Sequence, residues 1–152
     1  AKSVKEWIKH SLRILNINKE VKMRKIPGRY EKYSNFIIDT AHNPQAMKFL
    51  ISKNNEYEKI IIGMMKDKDI EGIIKCLPKK CEILITNLKT ERSAKNSELA
   101  LICKNLGYYC KEFESVKLAI DYAKNNKTLI TGSFYTVSEA RKCFKLKGHS
   151  EL

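Results

Sequence analysis

The segment Ile37-Ile38-Asp39-Thr40-Ala41-His42-Asn43-Pro44 puts a carboxylate at the end of an apolar run and an imidazole two residues ahead of a proline. Asn followed by Pro is a helix-start signal, because Pro is pre-set for the first helical position. There Asp39 suits the hydroxyls of a ribose. His42 suits an anion beside the helix N-terminus, where unpaired N–H groups and the helix dipole favour negative charge. Two other segments have the same form. Gly63-Met64-Met65-Lys66-Asp67-Lys68-Asp69 follows an apolar run directly, with Asp67 or Asp69 placed to cap the next helix. Thr131-Gly132-Ser133-Phe134-Tyr135 also ends an apolar run in small residues. Gly132 would let a ligand approach the backbone, and Ser133 could cap a helix or donate a hydrogen bond. Plain capping of turns accounts for the same residues without a ligand, so spacing alone leaves both readings open.

Other chemistries lack their residues. The six Gly form neither G-x-x-x-x-G-K-[ST] nor G-x-G-x-x-G, so the chain has no loop of its own to cradle a triphosphate and no dinucleotide fingerprint. No nucleophile elbow is present. The five Cys are an odd number without a C-x-x-C pair, and the three His (His10, His42, His149) are far apart. Free thiols in a cytoplasmic protein are expected, with no metal site and no catalytic thiol.

The elements that must position these residues follow from periodicity. Phe36-Ile37-Ile38, Ile60-Ile61-Ile62, Ile83-Leu84-Ile85-Thr86 and Thr128-Leu129-Ile130-Thr131 are short runs rich in Ile and Leu, bounded by turn residues, and read as strands; a weaker fifth lies near Gly107-Tyr108-Tyr109-Cys110. Helical spacing of apolar residues spans Pro44 to Ser52, Asp69 to Leu77, Ser97 to Leu106, Ser115 to Lys124 and Phe134 to Phe144. Strands alternating with helices predict an α/β fold. Its sheet is doubly wound, mostly parallel and covered by helices on both faces, as nearly unbroken apolar strands require. In such sheets ligands bind beyond the carboxyl ends of the strands, where all three segments fall. Val4, Trp7, Ile8, Leu12 and Leu15 mark a separate amphipathic helix ahead of this pattern.

The chain has 152 residues, 30 basic and 17 acidic, for a net charge of +13. The longest stretch without a charged residue, Thr128 to Ser138, is 11 residues, too short for a bilayer span of about twenty. Ten basic and three acidic residues fall in positions 1–32, so +7 of the charge is N-terminal and could meet phosphate. Most of these cations are Lys interleaved with Glu, and no nucleic-acid-reading motif accompanies them.

Taken in order, Ile26-Pro27-Gly28-Arg29-Tyr30-Glu31, Ile38-Asp39-Thr40-Ala41-His42-Asn43-Pro44, Gly63-Met64-Met65-Lys66-Asp67-Lys68-Asp69, Arg92-Ser93-Ala94 and Thr131-Gly132-Ser133-Phe134-Tyr135 resemble the C-terminal domain of folylpolyglutamate synthase/dihydrofolate synthase, in the Mur ligase family. That family runs P-G-R, D-x-A-H-N-P, G-x-x-x-D-K-D and G-S-x-Y with similar gaps. The resemblance covers residues from about 24 to 144. It implies a Rossmann-like domain closing over ATP held on a larger N-terminal P-loop domain, which also holds most of the Mg2+ contacts. The implied reaction joins the amine of L-glutamate to a carboxyl of folate or dihydropteroate through an acyl phosphate.

By motif, Arg29 matches the arginine that contacts ATP, where its fixed charge would stabilise the moving phosphoryl group. Asp39 matches the aspartate that contacts ATP, through the ribose. His42 matches the histidine near nucleotide and glutamate; Arg29 and His42 are the catalytic candidates. Ser133 matches the serine of G-S, suited to the carboxylate of the incoming glutamate, and Arg92 is a second anion contact. Residues 1–26 are then a helix and interdomain linker, and 27–152 the C-terminal domain. This chain contains no P-loop domain, so it is expected to be inactive alone. The competing expectation is a stand-alone basic α/β module that binds nucleic acid or a protein partner, which salt-steep retention on RNA would reveal.

Overall fold

The computed structural model describes residues 26–148, together with Ser3, Val4 and Glu6. The N-terminal helix expected around Trp7, Leu12 and Leu15 lies outside the described residues, apart from Val4. No helix among the described residues is long and apolar enough to cross a membrane.

Six strands and five helices alternate: β1 (Glu31–Tyr33), β2 (Phe36–Ile38), α1 (Pro44–Lys53), β3 (Lys59–Ile62), α2 (Ile70–Lys75), β4 (Glu82–Thr86), α3 (Asn96–Asn105), β5 (Cys110–Phe113), α4 (Val116–Ala123), β6 (Thr128–Thr131) and α5 (Phe134–Cys143). They build one sheet in the order β1-β2-β6-β3-β4-β5. Only the β1–β2 hairpin is antiparallel. The last strand inserts between β2 and β3, with Ile38 beside Ile130 on one side and Ile62 beside Thr131 on the other. Three connections that are distant in sequence therefore leave the sheet side by side.

The apolar strands bury both faces, and alternate residues choose between two cores. Ile60, Ile62, Ile83, Ile85 and Leu129 pack under α1, α2 and α3, against Met47, Leu50, Ile73, Ile74, Leu99 and Cys103. Phe36, Ile38, Ile61, Leu84 and Ile130 pack under α4 and α5, against Val116, Ala119, Ile120, Val137 and Ala140. Each of these Ile side chains contributes about 1.5–3 kcal/mol by leaving water. The expected doubly wound sheet, mostly parallel with helices on both faces, is what forms.

One expectation needs correction and one strand went unpredicted, both at the sheet edges. The weak fifth strand was placed near residues 107–110, but β5 runs from Cys110 to Phe113. Gly107, at φ 79, instead ends α3, and the buried Tyr108 donates its hydroxyl to the Leu77 carbonyl at 2.8 Å. The strand itself carries exposed Lys111 and Glu112, as an edge strand with one unpaired side does. β1 gave no apolar signal, since its residues are Glu31, Lys32 and Tyr33 on the opposite edge.

Candidate functional site

The carboxyl end of β2 is fastened to the turn that precedes β1. Asp39 is 8% exposed; its Oδ2 accepts from the Tyr30 N–H and its Oδ1 from the Ala41 N–H, both at 2.8 Å. The Thr40 N–H donates to the Gly28 carbonyl at 2.9 Å. Arg29 sits between these two tethers, exposed, with no side-chain partner among the described residues. Its neighbours Gly28 and Tyr30 both have left-handed backbones, φ 69 and 47. For Tyr30 that conformation costs roughly 1–2 kcal/mol, and such strain persists only where surrounding contacts over-determine it. Arg29 and Asp39 thus share one end of the sheet. Each Asp39 oxygen retains a second lone-pair direction; the hydroxyl of the next residue, Thr40, is fully buried and has no hydrogen-bond partner among the described residues.

The next residues form the wall of a pocket. Asn43 caps α1 by accepting from the Ala46 N–H at 2.8 Å, and Pro44 occupies the first helical position. His42 Nδ1 lies 2.9 Å from the Thr40 carbonyl oxygen. A carbonyl only accepts, so Nδ1 carries a proton, and in the neutral ring the lone pair is then on Nε2. The ring leans on Phe134, with centroids 5.6 Å apart. His42, Met65, Lys68, Arg92, Ser133, Phe134 and Tyr135 together line a cavity of about 180 Å³. Of the five residues singled out by sequence, His42, Arg92 and Ser133 meet here, while Arg29 and Asp39 stand outside its lining.

Arg92 reaches this wall because its segment zips onto the loop after β3. Met65 and Ser93 form an antiparallel bridge, the Lys66 N–H donates to the Arg92 carbonyl at 2.9 Å, and the Ala94 N–H to the Met64 carbonyl at 2.9 Å. Asp67 lies between two cations, 3.4 Å from Lys68 Nζ and 3.6 Å from Arg92 Nη2. Partial desolvation pushes its carboxyl up. Its own backbone N–H and those two cations outweigh that and hold it below the usual carboxylate range. Asp69, not Asp67, caps α2, accepting from Gly72 N–H at 2.9 Å.

Ser133 faces inward at 2% exposure. Its Oγ accepts from the Thr136 N–H at 3.1 Å and lies 2.8 Å from Thr136 Oγ1, which itself donates to the Gly63 carbonyl at 2.9 Å. The Ser133 hydroxyl therefore donates to Thr136 and is committed to the cap of α5. What it offers a ligand is an oriented helix N-terminus.

Gly132 also turns inward, which corrects its reading as a place for ligand approach. Its φ is 103, and a Cβ there would sit 2.6 Å from Ile62 Cγ1 and 2.8 Å from the Gly63 carbonyl oxygen. Left-handed backbone and contact with main chain combine, so Gly132→Ala is expected to cost roughly 2–4 kcal/mol, read as a lowered midpoint in urea unfolding. An unchanged midpoint would contradict this packing.

Sequence reasoning singled out neither Lys68, Phe134 nor Tyr135 as ligand-facing. All three belong to motifs it quoted, and the signal was their position beside a capping residue. Burial pushes the thiols of Cys81 and Cys103 up to about 12, which disfavours their thiolates. Among the described residues no group of His, Cys, Asp or Glu is arranged to hold a metal ion.

A parallel sheet with a cationic pocket and a tethered arginine turn at its strand tips defines an α/β lobe suited to anionic ligands. The model of the Mur ligase, glutamate ligase domain matches residues 26–134, and the chain belongs to that family. A dihydrofolate synthase/folylpolyglutamate synthase of Buchnera aphidicola (from Acyrthosiphon pisum) is 37% identical over 140 residues, covering 81% of this chain and 33% of the relative. A Yersinia pestis bifunctional folylpolyglutamate synthase/dihydrofolate synthase, solved with AMPPNP and Mn ion, has a TM-score of 0.72 at 27% identity. That match covers 80% of this chain and 32% of the solved one. A third, solved with Mn, AMPPNP and L-glutamate bound, has a TM-score of 0.70 at 27% identity, over 80% of this chain and 32% of its own. This chain spans about a third of the length of the relatives it matches.

Proposed function

We propose that this chain is the ATP-closing, glutamate-presenting lobe of an ATP-dependent ligase that adds L-glutamate to folate or dihydropteroate. The observation that carries this reading is the meeting of His42, Lys68, Arg92 and Ser133, from four separate motifs, around one pocket beside the Arg29–Asp39 turn. Arg29 points its charge at the ATP phosphates. Asp39, with a second lone pair free on each oxygen, takes the ribose.

The pocket suits glutamate, whose two carboxylates need two cationic or N–H-rich ends. Arg92 and Lys68 supply one, and the first turn of α5, oriented by the Ser133 cap, supplies the other. His42 presents Nε2 as the acceptor for a proton leaving the glutamate amine as that amine attacks the acyl phosphate. Attack forms the amide and releases phosphate.

The partner lobe is a P-loop domain, which supplies the remaining phosphate contacts and Mg2+. No step is assigned to a metal held by this chain. Residues 1–26 join the two lobes, residues 27–152 form this one, and the lobe alone is inactive. Its free cysteines suit the cytoplasm. The family match favours this reading over a basic nucleic-acid-binding module.

The complete ligase, given ATP, Mg2+, L-glutamate and either reduced folate or dihydropteroate, is expected to sustain ADP release over many turnovers only when glutamate and acceptor are both present. Absence of ADP release with every acceptor would refute the proposal.

A further inference from the structure

An ion pair between a buried arginine and a half-buried glutamate, on the far side of the arginine turn, has no part in the mechanism above. Arg141, near the end of α5, is 5% exposed. Its Nη1 pairs with Glu31 Oε2, and its Nη2 donates to the Lys147 and Gly148 carbonyls, both at 3.1 Å. The same Glu31 oxygen accepts the Gly28 N–H at 3.0 Å. Burying a guanidinium is costly unless its donors are met, and here they are spent on a carboxylate whose other bond goes to the residue before Arg29. The Pro27–Tyr30 turn is thus held from three directions: by Glu31 and Arg141 through Gly28 N–H, by Thr40 through Gly28 carbonyl, and by Asp39 through Tyr30 N–H. With left-handed backbones on both sides of Arg29, the turn needs those tethers to keep one shape.

We infer that Glu31 and Arg141 are positioning residues that aim the Arg29 guanidinium, making the end of α5 a support for the nucleotide contact while its beginning borders the glutamate pocket. This rests on the proposed role of Arg29 at ATP.

A double-mutant cycle in the complete ligase tests it. Arg29→Ala is expected to lower kcat/KM for ATP about tenfold. Arg141→Met and Glu31→Ala should each lower it about fivefold while the KM for glutamate stays within about twofold. Added to Arg29→Ala, neither should lower it further, because the group they aim is gone. A purely structural role makes the losses multiply to about fiftyfold or shifts the glutamate KM alike; either result overturns the inference. Should Arg141→Met fail to fold, Glu31→Ala, at the partly exposed edge strand, completes the same cycle. A tenfold Arg29 effect with multiplying doubles overturns this inference alone. An Arg29→Ala enzyme with unchanged ATP kinetics overturns both it and the role of Arg29.

Discussion

Removing the Arg29 side chain is expected to cut kcat/KM for ATP in the complete ligase by at least about tenfold, equivalent to 1.4 kcal/mol or more, while leaving the unfolding midpoint of the domain where it was. Structure separates the two effects. The guanidinium is exposed and has no partner among the described residues, so its loss breaks no hydrogen bond or ion pair among them. The turn beneath it is held by main-chain groups of Gly28 and Tyr30, which alanine at 29 leaves intact. What disappears is a permanent positive charge at the place where phosphate charge shifts. Arg29→Lys should recover part of the loss, since it restores the charge without the planar fork. Steady-state kinetics with varied ATP, alongside thermal unfolding, decides it. Wild-type ATP kinetics in Arg29→Ala would strip this residue of its role.

Asp39→Ala should behave differently, damaging stability and activity together. Its carboxylate accepts from two backbone N–H groups, one of them on the 1%-exposed Ala41. A buried donor left without an acceptor costs about 1–3 kcal/mol, so the pair predicts a loss of roughly 2–4 kcal/mol in urea unfolding. The same change frees Tyr30 from its left-handed conformation and takes an acceptor from the ribose, so kcat/KM for ATP should also fall at least about tenfold. Asp39→Asn, which keeps one acceptor oxygen, should fall between alanine and wild type in both measurements. Unaltered stability in Asp39→Ala would show that the tether carries no weight. Unaltered ATP kinetics would show that Asp39 serves the fold alone.

Much of this architecture was legible because burial leaves a local record. Ile60-Ile61-Ile62 is apolar throughout since its middle residue enters one core and its neighbours the other. Asn43, Asp69, Ser115 and Ser133 each accept an N–H at the start of the helix that follows them, a contact only a few residues long. β1 and most of β5 left no such record, because an edge strand with solvent on one side can be built from Glu, Lys and Tyr. For the site, the residue types and motif order pointed to Asp39, His42 and Ser133. They did not show that Asp39 spends both oxygens on backbone N–H groups, that the Ser133 hydroxyl points inward, or that Lys68 shares a wall with Arg92.

Residue order alone therefore settled the helices, where they begin, the four apolar strands, and which turns carry charged or hydrogen-bonding side chains, since each depends on contacts within a few residues. The tertiary structure decided which of those turns meet. Inserting β6 between β2 and β3 brings Ser133 to His42 across some ninety residues of chain and to the Lys68 loop, and it packs Gly132 against the Gly63 carbonyl. Strand order is a property of the closed sheet and its two cores, so no local stretch of sequence encodes it.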